Sequence, residues 1–207
     1  MPDVSPFIIS ISAFIVALTI HEFSHALTAY LLGDPTAQQQ GRLTLNPLAH
    51  IDPLGLLFLI LVRFGWAKPV PFNPKNFRHP RIYSVLVGLA GPTSNFLLAA
   101  VCTFLAHHIQ NLVGPSTLVL YFVKFLDVSI WINVMLGLFN LIPLPPLDGG
   151  HFLRALIPEK LLPYYRYFEK LSFILLIILA IFFAGPLTTW LTGGVSIVVQ
   201  WLDKVII

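Results

Sequence analysis

Long apolar runs separated by short polar connections dominate this 207-residue chain. Four of them, at about 6–32, 82–109, 118–142 and 168–191, reach the roughly 20 residues that a helix needs to cross a bilayer. Two shorter runs lie at 54–67 and 195–202. A helix over 54–67 would measure about 20 Å against a hydrocarbon core of about 30 Å, which favours a segment that turns back or lies at the interface. The stretch from Gly41 to Asn46 alternates Leu43 and Leu45 with polar neighbours and ends at Pro47, a pattern that a short edge strand and a plain polar connector both satisfy. The pattern therefore predicts an all-α polytopic membrane protein of about four to six transmembrane helices, with a re-entrant or short-strand element after the first.

Composition agrees. At 57% hydrophobic and 10% charged residues, with a mean hydropathy of +0.83, the chain is too apolar for an ordinary soluble domain and belongs in a lipid bilayer. Its net charge of +3 is spread over connections, at Lys68, Lys75, Arg78 and Arg81, as topology signals and not as a nucleic-acid-binding stripe, so no nucleic-acid partner is expected. If 54–67 turns back, Arg42 and the cluster from Lys68 to Arg81 share a side with Arg154, Lys160, Arg166 and Lys170. The positive-inside rule then puts the N-terminus outside and this basic side in the cytoplasm, across the cell (inner) membrane. Met1-Pro2-Asp3 lacks the basic flank of a secretory signal, and no small-residue cleavage pattern follows, so the first run is expected to stay in the working protein. Cys102 is the only cysteine, which excludes an intrachain disulfide. No hydrophilic insertion is long enough to be a separate domain. Residues 1–207 read as one transmembrane domain, with a core of about 6–154 and C-terminal membrane segments over 160–205. The pattern leaves the oligomeric state open.

The chemistry is concentrated in the first run. His21-Glu22-Phe23-Ser24-His25 is a His-Glu-x-x-His motif, and on a helix its two imidazoles, four residues apart, share a face and can grip one Zn²⁺ with the carboxylate beside them as general base. Ionisable groups at bilayer depth are costly and mark function, and three of them fall within five positions here. The competing reading is a pair of satisfied packing histidines beside a protonated Glu22.

A catalytic zinc site uses three protein ligands and keeps one position open, so a third ligand must come from a distant segment. Three acidic residues lie in or beside apolar runs: Glu22, Asp127 and Asp148. Asp127 is three residues from Lys124 and is expected to pair with it. Asp148 stands in Asn140-Leu-Ile-Pro143-Leu-Pro145-Pro146-Leu147-Asp148-Gly149-Gly150, where the prolines and glycines exclude a regular helix, and unpaired backbone at membrane depth survives only where protein or a wet cavity satisfies it. An ordinary Asp-Gly turn at a helix end explains Asp148 equally well.

His21-Glu22-x-x-His25 followed by Asn140-x-x-Pro143-x-x-x-Leu147-Asp148-Gly149 resembles the site-2 protease family of intramembrane zinc metalloproteases. Gly41-Arg42-Leu43-Thr44-Leu45-Asn46-Pro47 and Ala90-Gly91-Pro92-Thr93-Ser94-Asn95 are similar to stretches of its compact prokaryotic branch, so the likeness runs from about Phe7 to Arg154. The resemblance implies one Zn²⁺ per chain bound by His21, His25 and Asp148, with Glu22 as general base and Asn140 steadying the substrate or the oxyanion. It further implies regulated hydrolysis of peptide bonds in a single-span membrane protein, and the parity of charged connections puts the site toward the cytoplasmic side. The rival readings are a divalent-cation transporter, which would need facing polar residues along a path, and a non-catalytic metal-binding relative. Small residues at Gly88, Gly91, Ser94 and Ala99 should let neighbouring helices approach closely. Asn95 is read as interhelical packing or site lining, His50 and His79 as interfacial, and His151 as either a support near Asp148 or a solvent-facing helix-start residue.

Overall fold

The first apolar run forms α1 (Ser5–Leu31). Its inner face is one row at four-residue spacing, Ala13, Ala17, His21, His25 and Ala29, all of them buried. Lipid tails are as apolar as leucine, so helices in a membrane associate through close backbone approach, which alanine permits. Phe7, Ile8 and Leu31 point outward. The computed structural model describes residues 5–62, 65–114, 116–182 and 184–206. Met1-Pro2-Asp3, the stretch without a signal-peptide flank, lies outside the described residues.

After α1 come the single turn α2 (Thr36–Gln39), α3 (Pro53–Val62), α4 (Pro80–Val113), α5 (Thr117–Asn140), α6 (Gly149–Leu156), α7 (Leu162–Phe182) and α8 (Ala184–Ile206). Three helices are long and apolar enough to cross a membrane, over Pro6–Leu31, Pro80–Ile109 and Thr117–Asn140. These three pack on one another, α6 lies against α4, and α8 covers α5. Of the small residues expected on α4, Gly88 lies close against His151 and Gly91 against His21 and His25, Ala99 is buried with Val134, Val195 and Leu202 where α4, α5 and α8 meet, and the Ser94 hydroxyl turns back to Gly91 O on its own helix. With 10 residues, α3 is about 15 Å long, well short of the hydrocarbon core.

Two details depart from the sequence reading, and a third resolves an alternative that it left open. Asp127 does not pair with Lys124, whose Nζ lies 5.5 Å over the Tyr121 ring instead. Among the described residues there is no strand: Gly41 to Asn46 is turn and bend. The Arg42 guanidinium donates to the Lys68 carbonyl, and the Asn46 side chain accepts from Leu48 N–H at 3.1 Å. Finally, His50 is fully buried and not interfacial, because its ring donates to Thr44 O at 2.8 Å while its own carbonyl accepts from Lys68 N–H at 2.9 Å beside the single bridge between Ile51 and Ala67.

The connection between α1 and α4 is held at both ends. Gly33, at φ 99°, takes the left-handed turn that ends α1. The fully buried Asp34 carboxylate then accepts from Thr36 N–H at 3.1 Å, Asn73 N–H at 2.6 Å and Asn76 Nδ2 at 2.6 Å. The residues leading into α4 are thereby tied to the end of α1, and the segment before them meets α1 where Val70 N–H donates to Glu22 Oε2 at 3.0 Å.

Candidate metal centre

One helical turn brings His21 and His25 together, with their Nε2 atoms 3.0 Å apart. Asp148, from the loop after α5, closes the triangle: its Oδ2 is 3.1 Å from His21 Nε2 and its Oδ1 is 3.3 Å from His25 Nε2. Ligand atoms of all three residues lie within 4.8 Å of one another.

Hydrogen bonds behind the rings decide what those atoms present. His25 Nδ1 lies 2.6 Å from Val87 O, and a carbonyl only accepts, so Nδ1 carries the hydrogen and Nε2 of the neutral ring is a lone pair. His21 Nδ1 donates likewise to Asn95 Oδ1 at 2.6 Å. Two lone pairs thus face each other and a carboxylate, and Asp148 Oδ2 is buried without any hydrogen-bond partner. A shared divalent cation satisfies all of these at once. Two imidazoles and one carboxylate, with no fourth protein ligand among the described residues, match the donor set of a catalytic zinc site, so the residues fit zinc.

The local sequence explains how Asp148 arrives. Helix α5 ends at Asn140, and the chain reverses through a prolyl turn directly over that end. A Cβ on Gly149 would come within 2.5 Å of Leu141 O, and one on Gly150 within 2.9 Å of Pro145 N, so only glycine allows this fold-back. Tyr165 Oη anchors it from α7 by donating to Gly150 O at 2.9 Å. Although Asp148 precedes α6, its side chain makes no capping hydrogen bond. An ordinary Asp-Gly turn would leave that carboxylate in solvent or on the helix end, and here it faces the two imidazoles. Gly91 on α4 completes the cradle: a Cβ there would lie 2.6 Å from His21 Nε2 and would press on His25 Nε2 as well.

Glu22 is buried, and its Oε2 accepts from Val70 N–H at 3.0 Å. Asn140 sits at the last turn of α5 and donates through Nδ2 to Leu136 O at 3.0 Å, on its own helix. The His151 ring packs 5.2 Å from Phe72 and against Gly88, beside the ligands and not among them. Sequence reasoning missed Asn133 and Val70. An amide at mid-span in α5 was the available signal for Asn133, since such a group is costly unless it is bonded. Nothing in the sequence marks a backbone N–H such as that of Val70.

The profile of peptidase family M50 matches residues 106–179, which include Asn140 and Asp148. YwhC of Bacillus subtilis (strain 168) is 41% identical over 181 residues, which cover 85% of this chain and 81% of that protein. The chain belongs to peptidase family M50. Rip2 of Mycobacterium tuberculosis (strain ATCC 25618 / H37Rv) is 32% identical over 213 residues, 95% of this chain and 73% of its own length. YwhC and Rip2 are both provisionally named as zinc metalloproteases. The zinc metalloprotease MJ0392 of Methanocaldococcus jannaschii is 35% identical over 81 residues, 39% of this chain and 22% of its own. No solved structure matches the chain. The family likeness expected from the motifs therefore holds for this M50 chain, and the transporter reading is not favoured.

Proposed function

We propose that this M50 peptidase holds one Zn²⁺ between His21, His25 and Asp148 and hydrolyses peptide bonds within or next to transmembrane segments, with Glu22 as general base. The observation that carries the reading is the convergence of two imidazole lone pairs and an unpaired carboxylate oxygen on one point inside the helix bundle. That the protein is an intramembrane zinc metalloprotease accords with its family and with the names of its relatives.

When bound, zinc supplies a Lewis acid that lowers the pKa of water toward about 7 and polarises a carbonyl. Glu22 takes the proton from the attacking water and returns it to the leaving amide nitrogen. Val70 N–H holds Oε2, so Oε1 is the oxygen left for that proton. Asn140, with one Nδ2 hydrogen engaged by Leu136 O, has a second with which to hold the substrate carbonyl as negative charge develops. Substrate reaches the site beside an apolar cavity of about 350 Å³, lined by Val85, Leu89, Leu141, Pro143 and Phe152, with Asp148 in its wall.

The substrate in this reading is a single-span membrane protein whose target segment unwinds locally before attack. The distribution of basic connections supports a location in the cell (inner) membrane, with the site toward the cytoplasmic half. Residues 1–207 act as one domain, the core at about 6–154 and the C-terminal segments buttressing it. The test is Glu22→Gln in the purified protein, assayed for metal and for cleavage of transmembrane peptides. One zinc per chain retained, with cleavage reduced by at least about a hundredfold, is the expected result. Metal flux into vesicles with no cleavage by the unaltered protein would overturn it.

A further inference from the structure

Behind the metal centre, a side-chain relay crosses three helices. His21 Nδ1 on α1 donates to Asn95 Oδ1 on α4 at 2.6 Å, and Asn95 Nδ2 donates to Asn133 Oδ1 on α5 at 2.8 Å. Asn133 Nδ2 in turn donates to Ser129 O at 2.8 Å, and Asn95 Nδ2 also reaches Ala17 O at 3.3 Å. Both asparagines are fully buried.

We propose that Asn133 is a positioning residue of the metal centre: through Asn95 it determines which nitrogen of His21 is free to bind the metal. The inference rests on the zinc reading of His21, His25 and Asp148. An amide presents a donor at one end and an acceptor at the other, so a chain of two amides can in principle run in either direction. Backbone carbonyls remove that freedom. Ser129 O accepts only, so Asn133 turns its Nδ2 toward it and its Oδ1 toward Asn95. Ala17 O and Asn133 Oδ1 both accept, so Asn95 turns its Nδ2 toward them and its Oδ1 toward His21. His21 must then carry its hydrogen on Nδ1, which leaves Nε2 as the ligand. The opposite tautomer would set two acceptors against each other where no water can intervene.

The two ligands differ in this respect. The tautomer of His25 is set by the backbone carbonyl of Val87, which no side-chain substitution removes. That of His21 depends on side chains from two other helices, so metal affinity is coupled to the packing of α5 against α4.

The test compares Asn133→Val with Asn133→Asp in the full-length purified protein, reading zinc affinity by chelator competition and the visible spectrum of the cobalt-substituted form. Valine removes both the donor and the acceptor of the relay, and the expected loss of affinity is about ten- to a hundredfold, with a shifted cobalt spectrum. The aspartic acid is kept neutral by burial, so its O–H donates to Ser129 O while its C=O accepts from Asn95, and affinity should return toward that of the unaltered protein. Wild-type affinity in Asn133→Val, or equal weakness in both variants, would overturn the proposal. Should Asn133→Val not fold, Asn95→Ala breaks the same link and is judged by the same readouts. His25→Ala separates the two levels. Metal retained there sinks the zinc reading itself, whereas metal lost there and kept by Asn133→Val sinks only the relay.

Discussion

Val70 N–H donates to Glu22 Oε2 at 3.0 Å, joining the residue between the two imidazole ligands to a segment 48 positions later in the chain. Val70 stands between Pro69 and Pro71, neither of which has an N–H, so its amide is the sole backbone donor of that triplet. The prolines also stiffen the segment, and its far end is tied to the end of α1 by the hydrogen bond from Asn73 to Asp34. The proposed base is therefore held by a proline-flanked piece of backbone.

Replacing Val70 by proline removes that donor with little change in side-chain bulk. A hydrogen bond to a charged group is worth about 1.5–3 kcal/mol, so cleavage should fall by roughly ten- to a hundredfold. Zinc content should stay the same, because no metal ligand is touched. Peptide cleavage and metal analysis on one preparation check both, and loss of zinc in the variant would refute the separate role of Val70.

Gly91→Ala places a methyl group against His21 Nε2 and His25 Nε2, where the structure has only a hydrogen. The imidazoles must move apart or α4 must withdraw, and in either case the three ligand atoms no longer meet. Zinc binding and cleavage should be lost together, while α4, which tolerates alanine well, remains helical. Circular dichroism together with metal analysis reads this, and a zinc-replete Gly91→Ala protein would show the cradle to be wider than described.

Asp34 provides a pH-dependent test of the connection between α1 and α4. Burial pushes its carboxyl upward, but the donors on Thr36, Asn73 and Asn76 outweigh burial and hold it below the ordinary aspartate range. A carboxyl depressed in the folded state contributes stability at neutral pH, and that contribution drains away as pH falls from the ordinary value of about 4 through the folded one. Asp34→Ala should cost about 1–3 kcal/mol at pH 7 and lower the thermal midpoint. The gap to the unaltered protein should narrow below about pH 4. A gap independent of pH would mean that packing, and not the ionised carboxylate, supplies the stability.

The cavity beside Asp148, about 350 Å³ in volume, has apolar walls that suit a large apolar side chain next to the cleaved bond. Leu89→Trp should fill much of it. Cleavage of peptides with leucine or phenylalanine at that position should drop further than cleavage of those with alanine, with zinc unchanged. Equal loss across a peptide panel would show that the cavity does not read the substrate.

Much of the architecture was legible because it follows from local spacing. The apolar runs of α1, α4 and α5 predicted spans, and the four-residue interval between His21 and His25 placed both rings on one face. The four-residue row on α1 continues through Ala13, Ala17 and Ala29, so the two histidines lie on a face that is buried along the helix. Where sequence reading erred, tertiary partners had replaced local ones. Arg42, in the stretch where alternation left a strand and a connector both open, donates to the Lys68 carbonyl, and His50 is drawn inward by its bond to Thr44 O and the pairing with Lys68. Lys124 has Tyr121 under its ammonium group in place of Asp127.

The order of amino acids alone determined that this is a helical membrane protein, that two imidazoles share one helical face, and that the glycines after Asp148 permit a sharp reversal. These properties depend on neighbours a few positions apart, and helix periodicity and steric limits convert such intervals directly into geometry. Only the tertiary structure decided that Asp148 faces the histidines, that Val70 holds Glu22, and that Asn133 reaches His21 through Asn95. Those pairings depend on which helices lie side by side and at what register, and that follows from the packing of all of them at once.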